Sequence, residues 1–78
     1  MPSANDILKA IAEHLTLNPE DLDRQALLRE DLTLGPIELN DLLSDLSVKF
    51  NISFEPDEVE NLNKVADLIS LVEDNLLD

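Results

Sequence analysis

The chain has 78 residues, of which 44% are apolar. That is too many for a disordered acidic tail and enough for one small domain. Eighteen Asp and Glu against five Lys and Arg set the formal net charge at −13, and Phe50 and Phe54 are the only aromatics. Phosphates repel such a surface and it offers no stacking platform, so no nucleic-acid partner is expected. The absence of cysteine excludes disulfides, thiolate metal sites and cysteine nucleophiles.

The first helix is expected over residues 3–15, where Ile7, Leu8, Ile11 and Leu15 share one face. Ser3 suits its N-cap, with Asp6 three residues on as an imperfect capping box. The run Asn18-Pro19-Glu20-Asp21 reads as a turn. Residues 17–35 are the least regular part. Their leucines, Leu17, Leu22, Leu27, Leu28, Leu32 and Leu34, read as plugs that fix an ordered strap to the core.

The second helix is expected to open at Pro36. Proline is favoured at a first helical position because its missing N–H has no intrahelical partner there, and Gly35 is an acceptable N-cap. Leu39, Leu42, Leu43, Leu46 and Phe50 form its buried stripe, and it should end near residues 50–51. Ile52-Ser53-Phe54 alternates too briefly to build a sheet. Residues 56–62 read as a short helix, with Asp57 and Glu58 suited to its N-terminus. Asn63 is the expected cap of a last helix whose stripe is Val65, Leu68, Ile69, Val72 and Leu76. The expected architecture is an all-α four-helix bundle, with three main helices, one short third helix and a long first loop, over a single domain of residues 1–78.

No basic start followed by an apolar run opens the chain, and unbroken apolar runs reach three residues at most. A cytoplasmic protein with no membrane span is therefore the expectation. Self-repulsion opposes compactness, so stability should rise with salt or a screening divalent cation.

From residue 30 to residue 52 a longer pattern emerges. Glu30-Asp31-Leu32 precedes Gly35-Pro36-Ile37-Glu38, and Asp41, Leu42, Phe50 and Ile52 follow in step. This segment resembles the acyl carrier proteins, which typically read E-D-L-G-x-D-S-L-D-x-x-E-L before a helix ending in E-F-G/D-I. The first-helix pattern, the Asn18 to Leu22 turn, Glu55-Pro56-Asp57-Glu58 and the run from Leu62 to Ile69 also sit at the family's spacing. The resemblance thus covers nearly the whole chain and implies the family's bundle fold.

The departure is central. The family's Asp-Ser-Leu becomes Gly35-Pro36-Ile37, which puts proline at the position of the attachment serine. In the family that serine is esterified to 4′-phosphopantetheine, whose thiol holds the acyl group. Proline has no hydroxyl, so no cofactor is expected at residue 36. Thr16, Thr33, Ser44, Ser47, Ser53 and Ser70 are other hydroxyls, but Ser44 lies roughly 12 Å along the helix from its start. Thr33 is nearer and lacks a following helical turn.

The resemblance also implies docking to a basic partner surface, such as that of an acyl-carrier-using enzyme. Glu38 and Asp41 keep the family's acidic character. Ser47, Val48 and Lys49 replace its usual acids, and Asp45 adds one where the family is often apolar. Glu55, Asp57, Glu58 and Glu60 extend the acidity over the third segment. A solvated face is the ordinary role of such charges. No catalytic or metal site is expected: His14 is the only histidine, no EF-hand loop precedes the single glycine, and Asp57 and Glu58 point to different sides of a helix.

The leading expectation is a monomeric, non-enzymatic, carrier-like interaction module of a fatty-acid or polyketide-type pathway. The competing readings are a working carrier, with its arm on another hydroxyl or with residue 36 altered, and an acidic nucleic-acid mimic or cation sequestrant. An acyl chain held without a covalent bond would enter beside Leu39, Leu46 and Ile69, although an ordinary packed core equally accounts for these residues.

Overall fold

The computed structural model describes residues 2–76. Its helices are α1 (Ala4–His14), α2 (Pro36–Phe50), α3 (Pro56–Glu60) and α4 (Val65–Leu76), with one 3-10 turn at Pro19–Asp21. The architecture is the expected all-α bundle. Residues 52–54 stay irregular, and an isolated antiparallel bridge pairs Leu27 with Lys64.

The start of α1 is a complete capping box. The Ser3 hydroxyl accepts from the Asp6 backbone N–H at 3.2 Å, and the Asp6 carboxylate accepts from the Ser3 N–H at 2.9 Å. Two donors that a helix start leaves unpaired are thereby satisfied. At the other end Thr16 turns left-handed, with φ 57°, and Leu17 N–H bonds back to Ala12 C=O at 2.8 Å. This is a Schellman-type stop with a β-branched residue where glycine is usual, an uncommon and strained choice. Asn51 ends α2 in the same left-handed region, at φ 54°, where asparagine is well tolerated.

The core draws on every main helix. Ile7 and Ile11 from α1, Leu42 and Leu46 from α2, and Val65, Leu68 and Val72 from α4 are fully buried. Leu8, Leu15, Phe50 and Leu76 pack partly buried against them. The strap contributes Leu22, Leu28 and Leu34 as buried plugs, with Leu32 half-buried. Leu17 departs from the expectation: it is 41% exposed, because the left-handed Thr16 swings the chain away from the apolar face of α1.

The start of α4 also differs from the sequence expectation. The Asn63 side chain does not cap it; that amide donates to Asn61 C=O. The strap supplies the acceptors instead. Ala26 C=O takes the Val65 N–H at 3.0 Å and Arg24 C=O takes the Ala66 N–H at 2.8 Å. The Asp67 carboxylate accepts from the Lys64 and Asn63 N–H groups at 2.9 and 3.2 Å. Leu28 N–H donates to Asn63 C=O at 2.8 Å, and the Arg29 guanidinium donates to Leu62 C=O at 2.6 Å.

Two outcomes follow for stability. Leu28→Ala should cost about 2–5 kcal/mol by urea denaturation, whereas Leu17→Ala should change stability by less than about 0.5 kcal/mol. The Ser3 backbone and hydroxyl bonds hold Asp6 below the usual aspartate value. Its folded pKa is depressed, so its stabilisation is complete above the ordinary aspartate range and is lost as pH falls through the lower folded value. Asp6→Asn should therefore flatten the acid limb of a stability–pH curve and leave the slope near neutrality unchanged.

Candidate functional site

The N-terminus of α2 is built from Gly35, Pro36 and Ile37. Gly35 is extended (φ −78°, ψ 178°) and offers no capping side chain, while Pro36 takes the first helical position. Gly35 C=O accepts the first bond of the helix, from Leu39 N–H at 2.9 Å. The Glu38 side chain folds back over this start: a Cβ placed at residue 35 would lie 2.8 Å from its carboxylate oxygen. Any side chain larger than hydrogen at residue 35 must displace the flexible Glu38 tip. Ile37 is 76% exposed. Pro36 is exposed too, and with no oxygen or nitrogen in its side chain it cannot be esterified.

The acids singled out from the sequence divide into two groups. Glu38, Asp41 and Asp45 lie on α2; Glu55, Asp57, Glu58 and Glu60 lie at and along α3. Asp41, Asp57 and Glu60 are exposed. Asp45 is engaged elsewhere. Its carboxylate sits 3.2 Å from His14 Nδ1 and 3.6 Å from Lys49 Nζ, and Lys49 also lies 3.5 Å from a Glu13 oxygen. This cluster ties α2 to the end of α1, so Asp45 is turned toward a neighbouring helix. Glu58 is used locally, accepting from the Glu55 backbone N–H at 3.0 Å. His14 is half-buried against Asp45, and no group of three or more metal-ligating side chains occurs among the described residues.

Between α2 and α3 runs an open groove of about 680 Å³, with Leu43, Ser44, Val48, Phe54, Val59 and Glu60 on its walls. Sequence reasoning missed it. The entry imagined beside Leu39, Leu46 and Ile69 is closed, because these side chains are at most 4% exposed and belong to the packed core. The available signal was Val48, an apolar residue outside the buried stripe of α2 and 82% exposed. Of the other hydroxyls, those of Thr16, Thr33 and Ser47 donate to the carbonyls of Leu15, Leu32 and Ile52. Ser44, Ser53 and Ser70 are exposed.

The small helical bundle, with its irregular strap and short third helix, is the architecture that the resemblance to acyl carrier proteins implies. Known proteins make the assignment specific. The chain is 35% identical to an acyl carrier protein of Exiguobacterium sibiricum over 68 residues, or 87% of this chain and 86% of the relative. Acyl carrier proteins of Wolinella succinogenes and Helicobacter pylori are each 31% identical, over 71 and 72 residues. The alignments span 91% of this chain and 93% of the first, and 92% of this chain and of the second. No protein-family model matches the chain. At this identity and coverage the chain belongs to the acyl carrier protein family, and it is a non-enzymatic protein of that family. No described helix is long and apolar enough to cross a membrane.

The Asp45 cluster is partly exposed and hence weakly stabilising. Asp45→Ala should lower stability by at most about 1 kcal/mol in urea denaturation, and the difference from the parent should shrink as salt is added.

Proposed function

We propose that residues 1–78 form a single carrier-like domain that docks basic partner proteins through its acidic surface and holds no phosphopantetheine at residue 36. Pro36 is the observation that carries this reading. It opens α2 at the point where the family resemblance puts the attachment serine, and it lacks the hydroxyl that a phosphodiester requires. The residues at this position do not fit the family's cofactor, and no acyl-transfer step is assigned to them. The partner is a protein of a fatty-acid or polyketide-type pathway whose Lys and Arg side chains face Glu38, Asp41, Asp57 and Glu60, with Asp45, Glu55 and Glu58 contributing to the surrounding field. The net charge of −13 disfavours self-association and supports a monomer as the working state.

Intact mass spectrometry tests this directly. The purified chain is incubated with coenzyme A and a broad-specificity phosphopantetheinyl transferase, beside a true carrier as positive control. The parent chain should gain no mass while the control gains one phosphopantetheine. Pro36→Ser, which restores the hydroxyl at an exposed helix start, should gain it. Modification of the parent would overturn the reading and would identify a carrier with its arm on another hydroxyl.

A further inference from the structure

The strap is strained at both ends. Thr16 begins it and Thr33 stands near its end, and both lie in the left-handed region, at φ 57° and 54°. A β-branched residue is an outlier there, because its side chain crowds the backbone. Asn51 occupies the same region at the end of α2 and tolerates it. Thr33 follows Glu30-Asp31-Leu32, at the place where the family pattern reads glycine. Neither threonine is compensated by burial: both are exposed. Each hydroxyl donates to the carbonyl of the residue before it, at 2.6 and 2.7 Å. Strained residues persist only where their surroundings hold them, and they gather at clamps and switches.

The two threonines are held by different neighbours. Thr16 belongs to the stop of α1, and the 3-10 turn that follows packs against α1. Thr33 sits in a loop that Leu34 N–H closes on Leu28 C=O at 3.2 Å. That loop is clasped to the start of α4. Leu28 N–H donates to Asn63 C=O at 2.8 Å, and the Ala26 and Arg24 carbonyls accept from Val65 and Ala66 N–H at 3.0 and 2.8 Å. The Arg29 guanidinium and the Lys64 ammonium add bonds to Leu62 C=O and the Gln25 side chain. Arg24, Gln25, Arg29 and Lys64 are exposed, so water competes for these contacts. The tie of α1 to α2 through His14, Asp45, Lys49 and Glu13 involves no strap residue.

We propose that residues 24–34 are a sprung latch. They open as one unit, uncapping α4, while α1, the 3-10 turn and α2 stay paired. Strain at Thr33 favours the open state, and the clasp with buried Leu28 and Leu34 holds it shut. The latch runs directly into Gly35 and Pro36, so its state sets how firmly the start of α2 is held. A partner touching the strap shifts the latch by the difference between its affinities for the two states. The proposal stands apart from the basic-partner reading.

Native-state amide hydrogen exchange on the full chain tests it. After correction for intrinsic rates, the amides of Leu28, Leu34, Val65 and Ala66 should share one protection factor, about tenfold or more below that of Leu42 and Leu46 in α2. Two substitutions of the same kind then separate the latch from global unfolding. Both positions are exposed, and asparagine already holds this conformation at residue 51, so both variants keep the fold. Thr33→Asn should slow exchange of the four clasp amides by about threefold or more. Thr16→Asn relieves strain outside the latch, so it should slow Leu42 and Leu46 and leave the clasp amides unchanged. Equal protection of the two sets in the parent chain, unchanged clasp amides in Thr33→Asn, or equal slowing of them by both substitutions would overturn the latch.

Discussion

The clasp between the strap and the start of α4 is the contact on which the rest of the bundle depends. An α-helix begins with N–H groups that have no partner inside it, and burying them unpaired is costly. Here the carbonyls of Ala26 and Arg24 meet the N–H groups of Val65 and Ala66. The same short stretch sends Leu28 into the core as a fully buried side chain. Capping and packing are therefore one event: the strap cannot leave the core without uncapping α4, and α4 cannot shift without exposing Leu28. An irregular segment of this length holds its place in so small a protein because its backbone is used in this way. Loops that lack such partners remain on the surface and move.

The cations serve the same end. Of the five Lys and Arg in the chain, four join separate parts of it. Arg24 donates to Asn5 on α1, Arg29 to the Leu62 carbonyl before α4, Lys64 to Gln25 in the strap, and Lys49 approaches Glu13 on α1. Each contact is modest, because exposed pairs are screened and hold long side chains at an entropic cost. Their placement nevertheless has a consequence for the surface. Arg24, Arg29 and Lys64 sit in the strap or just before α4 and not on α2 or α3, so negative charge predominates on those two helices.

What the sequence made legible was whatever is local. The heptad-like spacing of Leu39, Leu42, Leu43 and Leu46 defined the buried side of α2 because helical periodicity is a property of neighbours in the chain. Ser3 and Asp6 were readable as a cap for the same reason. Asn63 was misread because the acceptors for α4 come from Arg24 and Ala26, about forty residues earlier, and no local rule reports them. Asp45 looked like an open docking acid since nothing in its own helix reveals His14 on α1. Leu17 looked like a core plug until the left-handed turn at Thr16 redirected the chain, and threonine gives no warning of that conformation. The groove lay beyond reach for a related reason: it is a space between α2 and α3, whose spacing depends on the turn at Asn51.

Fold and covalent chemistry are separable at residue 36, which makes the proposed function physically economical. A serine at the start of α2 contributes a hydroxyl for modification, but the helix needs only a residue whose missing or unpaired N–H does no harm. Proline meets that requirement and brings a φ already suited to the helix. The neighbouring Gly35 serves as N-cap at a cost of only a few tenths of a kcal/mol relative to a polar cap. Glu38 folds back over Gly35 and keeps a carboxylate near the positive end of the helix dipole, where an acid at residue 35 would otherwise stand. Proline at residue 36 is thus compatible with the helix start, the buried stripe behind it and the acidic surface beside it. On the proposed reading, such a chain presents the recognition features of its family to a partner without offering that partner a cargo.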